Sequence, residues 1–209
     1  DTFIYEIDAF STLGLLPDPV VSSLLERPVT SLVDTVIHES LHNTVWSGRD
    51  IVFNESLATY VGRTGALEFL AFEFGEDSPL LQEAEDDYAD IDRLDALLKQ
   101  ISADARALYA QDISSDEKIA RREEIFEAAR QRFTSDVQPT LNRPDRYSAY
   151  ATLNYNNAFL LVNVRYNSDL HIFAEVHEST GRSWPDSLQV FHPAAADAQP
   201  NAFLEAYLQ

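Results

Sequence analysis

The 209-residue chain carries 35 acidic against 15 basic residues, a formal net charge of −20, with 45% hydrophobic and 24% charged residues. These globular proportions suit one domain with a real core and exclude wholesale disorder, while the charge excludes nucleic acid, whose phosphates such a surface repels. Cysteine is absent, so disulfides and thiolate chemistry are excluded and a metal must be held by His, Asp or Glu.

The first element expected is a short strand over residues 3–10, where apolar and polar residues roughly alternate, followed by a turn over 11–19. A short helix is expected over 20–27. A longer one begins near Ser31, with Asp34 three residues on as a capping box, and Leu32, Val33, Val36, Ile37, Leu41 and Val45 at helical spacing. It is expected to end near Trp46, where Ser47-Gly48-Arg49-Asp50 offers turn chemistry, and a second helix then runs from Asn54 to a stop at Gly75.

From Ala84 to Leu108 apolar residues recur in steps of three and four, the seam of a packed helix. Ser114 and Glu117 cap a returning helix with Ile119, Arg122, Phe126, Ala129 and Phe133 on its seam, so 79–136 is expected to form an antiparallel helical hairpin. The acidic cluster Glu83, Glu85, Asp86, Asp87, Asp90 and Asp92 could be a cation site but reads better as the solvated face of that hairpin. A Tyr- and Asn-rich stretch follows Pro139, then a helix from Asp169 to Glu178, and residues 185–209 read as loop with a short amphipathic end. No apolar run approaches the roughly 18 residues that span a bilayer. The absence of methionine and the start at Asp1 are read as a processed chain whose upstream signal or anchor has been removed. Lys99 and Lys118 are the only lysines, and an acidic surface so poor in lysine fits a protein working at high salt, where screening relieves self-repulsion.

One motif carries chemistry. His38 and His42 stand at i and i+4, so on a helix both rings leave one face about a turn apart, a spacing that suits a single Zn²⁺ ion. Glu39 takes the general-base position of H-E-x-x-H, close to a metal-bound water without being a ligand. Glu55, after a short loop and in the first turn of the next helix, supplies the third ligand. The competing reading of Glu55 is an acidic residue favoured by the helix dipole; Asp34 could orient a ligating histidine instead of capping. With zinc acidifying water and polarising a carbonyl, Glu39 moving the proton to the leaving amine gives peptide-bond hydrolysis. A donor for the oxyanion is available among Tyr147, Tyr150, Tyr155, Tyr166 and His171, of which Tyr166 is favoured. His171, His177 and His192 form no pair at ligand spacing. Asn54-Glu55-Ser56 spells a glycosylation sequon that a metal site there would exclude.

At these residues the chain resembles the gluzincins, zinc peptidases whose third ligand is a glutamate on the helix after HExxH. STLGLLPDPVVSSLL, HESLHNTVW, FNESLATYVG and YNNAFLLVNVRY, in that order, are similar to the bacterial predicted aminopeptidase family over most of the chain. The resemblance implies a mainly α, zincin-like core with the long helical hairpin and the small N-terminal β element, folded as a single domain over 1–209. It implies Zn²⁺ held by His38, His42 and Glu55, with Glu39 as base, acting on peptide substrates in the bacterial envelope or periplasm. Rival readings are an endopeptidase of the same mechanism and a non-catalytic envelope scaffold that keeps the zinc site.

Overall fold

The computed structural model describes residues 1–4, 9, 12 and 21–209. It is mainly helical, and no strand occurs among the described residues. Most of the strand expected over 3–10 and of the turn over 11–19 lies outside them; Phe3, Ile4 and Ala9 are not in regular structure. The chain forms two compact units, one from residues 6–84 and 165–209 and the other from 1–5 and 85–164.

The first unit opens with α1 (Ser22–Leu25) and the pair α2 (Val29–His42) and α3 (Ile51–Phe74). α2 starts one turn earlier than expected. Pro28 occupies its N-cap, and Ser31 lies inside the helix with its Oγ donating to the Pro28 carbonyl at 3.1 Å. The Ser31/Asp34 capping box is therefore not formed, because a proline at the boundary had already set the helical entry. α2 also ends at His42 rather than Trp46. α3 starts at Ile51 because the Asp50 carboxylate accepts from the Phe53 N–H at 2.9 Å, an N-cap that satisfies one of the orphan donors of the first turn. It stops at Gly75, whose φ of 94° is open to a residue without a Cβ.

Against the pair pack α7 (Leu170–Ser179), α8 (Trp184–Ala196) and α9 (Pro200–Tyr207). Leu41, Phe53, Leu57 and Val61 meet Ile172, Phe173, Val176, Phe191 and Leu204 in one buried core. The rings of Phe53, Phe173 and Phe191 run edge to face through it, with centroids 5.6 and 6.0 Å apart. α8 corrects the expectation of loop from residue 185, while α9 falls where the short amphipathic end was expected. Pro185 and Pro200 sit in first turns, where a missing N–H costs nothing.

The second unit holds α4 (Pro79–Tyr109) from Glu85 onward, α5 (Ser115–Arg132) capped by Ser114, and α6 (Asn157–Tyr166) up to Val164. Leu94, Leu98 and Ile101 of α4 share a core with Phe126 and Ala129 of α5 and with Phe133, Tyr155 and Phe159. Here the solvated-face reading of the acidic cluster fails for two members. Asp90 is fully buried; its carboxylate accepts from the N–H groups of Asn142 and Arg143 at 2.7 and 2.8 Å and from Arg93 Nη1 at 2.9 Å. Asp87 pairs with Arg143 and Arg146. Removing the Asp90 carboxylate would leave two backbone amides and a guanidinium without their acceptor. Asp90→Ala should lower the unfolding free energy by about 1–3 kcal/mol, measurable by urea denaturation followed by circular dichroism.

Candidate metal centre

The loop between α2 and α3 is short and internally bolted. Asn54 is buried in the first turn of α3; its Nδ2 donates to the Ser47 carbonyl at 2.8 Å and its Oδ1 accepts from the Ser47 N–H at 2.7 Å. This two-point clamp fixes where Glu55 begins relative to the end of α2. It also commits the side-chain nitrogen of the sequon asparagine to the protein interior. The sequence reading took Asn54 only as a helix start and a sequon asparagine; the signal for its clamp was a polar residue beside Glu55 in a first turn.

The helices then run antiparallel at close range: Glu55 lies by His38 and His42, and Gly62, two turns on, lies by Asp34 and His38. A Cβ at Gly62 would overlap Asp34 Oδ1 and stand 3.1 Å from the Asp34 carbonyl oxygen and 3.2 Å from His38 Cβ. Glycine is what allows the approach. Gly62→Ala would gain about 1 kcal/mol of helix propensity but incur about 1–3 kcal/mol of overpacking. The net expectation is a lower melting temperature, read by calorimetry, and a weaker hold on any metal ion at the three donors, read by competition with a chromogenic chelator.

The approach brings three donors together. His38 Nε2 is 3.5 Å and His42 Nε2 3.9 Å from Glu55 Oε2, and one ligand atom from each residue lies within 4.8 Å of the others. Burial, then the neighbouring His38, holds the His42 imidazole below its usual pKa, against a smaller opposing pull from Glu55. Burial pushes the Glu55 carboxyl up, but the hydrogen bond from His38 and the charges of His42, His38 and Arg165 outweigh it and leave the group below the usual carboxylate range. At neutral pH the imidazole of His42 is thus neutral and Glu55 ionised, the forms that ligate a metal. Two imidazole nitrogens and a carboxylate are a zinc donor set with a coordination position left open, so these residues can hold the ion. Glu39, half-buried, stands between the histidines on α2.

Two aromatic rings border the group. Trp46, 40% exposed, sets its ring edge-on to His42 at 5.4 Å, and Tyr166 lies 6.2 Å from the His38 ring. Tyr166 is held there through α3: Ser56 Oγ donates to the Arg165 carbonyl at 3.0 Å and accepts from the Ser168 N–H at 3.1 Å, while Arg63 Nη2 donates to Asn167 Oδ1 at 2.9 Å. The positioning roles of Ser56 and Arg63 escaped the sequence reading because partners so distant in sequence leave no local pattern, while Trp46 was read only as the end of the helix although its ring meets His42 four positions back. Of the other candidates, His171 and His192 are exposed. His177 is fully buried in the core of this unit. Tyr147, Tyr150 and Tyr155 belong to the aromatic core of the second unit, where burial pushes the Tyr155 phenol up to about 12.

A family model described as "Putative aminopeptidase" matches residues 1–200. No curated protein and no solved structure matches the chain.

Proposed function

The chain belongs to the putative aminopeptidase family, and on that premise we propose that it is a zinc-dependent metallopeptidase of the gluzincin kind, working as an aminopeptidase. The observation that carries this reading is the convergence of His38, His42 and Glu55 within 4.8 Å, with Glu39 between the two histidines.

In this reading His38, His42 and Glu55 hold Zn²⁺. When bound, the ion supplies a Lewis acid that polarises a peptide carbonyl and acidifies water. Glu39 takes a proton from the attacking water and passes it to the nitrogen of the departing amine, so that one carboxylate serves as base and then as acid. The phenol of Tyr166 donates a hydrogen bond to the oxygen that becomes negative as the carbonyl carbon turns tetrahedral. Asn54 and Gly62 do no chemistry; they fix the distance between the helix that carries the base and the helix that carries Glu55. The envelope is the proposed place of action.

The test is hydrolysis of one peptide series in amino-free and amino-blocked form. Release of the N-terminal residue from the free peptides alone, abolished by a chelator and restored by zinc, is the expected result. Cleavage of blocked and free peptides alike would make the enzyme an endopeptidase. Zinc-independent cleavage, or none with zinc bound, would overturn the proposal.

A further inference from the structure

On another face of the α2–α3 pair lies a cavity of about 490 Å³, within the size range of small-molecule sites. Its apolar walls are Ile37 and Leu41 of α2, Phe69 and Phe72 of α3, and Trp184 and Leu188 of α8. With 3.6 residues per turn, Ile37 and Leu41 sit about 100° around α2 from His38 and His42, so the cavity is distinct from the metal centre.

One acid interrupts these walls. Glu68 lines the cavity, and its Oε2 accepts from Trp184 Nε1 at 2.6 Å. Behind it, the ring of His177 stacks on Trp184 with centroids 4.0 Å apart, and its Nε2 faces Glu68 Oε1 at 3.9 Å, beyond hydrogen-bond reach. The tautomer of His177 follows from its neighbours. Thr180 Oγ1 spends its proton on the His177 carbonyl at 2.9 Å, so Ser187 Oγ donates to Thr180 at 2.7 Å and accepts from His177 Nδ1 at 2.8 Å. Nε2 is therefore a bare lone pair, fully buried and without a hydrogen-bond partner. Burial lowers the pKa of the ring and so disfavours the proton that would join it to Glu68. Of the two, Glu68 Oε1 already accepts from Arg182 Nη2 at 3.5 Å, so the negative charge of Glu68 is only partly met at the cavity corner. Arg182 reaches Glu68 at 3.5 Å but is held more closely by Glu178 at 2.5 Å, so the three together keep one net negative charge.

We propose that this cavity is a second binding site, for a small primary amine with an apolar body. An ammonium group supplies several donors and the compensating charge at the Glu68 corner, and the aromatic walls take the apolar part and favour a cation near their faces. A carboxylate would be repelled by the Glu68 carboxylate, and an alcohol could donate to it without neutralising the charge.

Titration calorimetry of the full chain with 2-phenylethylamine, 2-phenylethanol and 3-phenylpropanoate tests this. The amine should bind at least about tenfold tighter than either analogue (about 1.4 kcal/mol), in zinc-loaded and in metal-stripped protein alike. Glu68→Gln, at a residue 41% exposed, should keep the unfolding midpoint and lose the preference, and Phe69→Ala should weaken all three ligands. Equal affinities, no binding of the amine, a preference that survives Glu68→Gln, binding indifferent to Phe69→Ala, or amine binding that vanishes with the metal would each overturn the proposal.

Discussion

Replacing Glu39 by Gln should lower kcat on amino-free peptides by about 10²–10⁴-fold, the usual contribution of a positioned acid–base group, while zinc content stays stoichiometric. The amide is nearly isosteric with the carboxylate, so the α2 face keeps its shape, but an amide cannot take a proton from water. The split between turnover and metal content is the informative part. A ligand would lose both together, and a residue of purely structural importance would lose stability first. Single-turnover assays beside metal analysis by plasma emission make the measurement. Full activity in the Gln variant would remove Glu39 from the mechanism.

The second large effect concerns the metal itself. Loss of a residue that merely orients a zinc ligand costs about 10–100-fold in affinity, so His38→Ala should weaken zinc binding by more than about 100-fold and leave protein prepared without chelators free of stoichiometric zinc. Activity should fall in parallel and return in part at millimolar zinc. His42→Ala should act more severely on the fold as well, since His42 is 7% exposed and its removal opens a cavity beside Leu41 and Trp46. His38, half-buried, is therefore the cleaner probe. Stoichiometric zinc in His38→Ala protein would show that the ion sits elsewhere.

Much of the site was legible because its information is local. His38 and His42 announce themselves through the helical period, and Glu55 through a loop short enough to return the chain to the same place. The surroundings were less legible for identifiable reasons. Ser31 and Asp34 matched a capping pattern, yet Pro28 began the helix before them and left Asp34 against Gly62, a contact between helices that no spacing rule encodes. Pro185 and Pro200 read as breakers, although the first turn of a helix tolerates them. Asp90 looked like one more surface charge among neighbours of the same sign. Its burial depends on backbone amides some fifty positions away, at Asn142 and Arg143.

The hairpin geometry of the ligands also bears on the order in which the protein matures. All three fall within residues 38–55, so gathering them closes only a short loop, and the entropy of that closure is small. Tyr166, by contrast, is delivered by a contact spanning 109 positions, between Ser56 and Arg165. Nascent chain that has emerged only through α3 already contains the three candidate ligands, whereas the phenol arrives about ninety residues later. If the proposed function holds, that asymmetry gives a folding intermediate able to hold the ion before the phenol is in place, so that metal capture would precede any power to cut peptides.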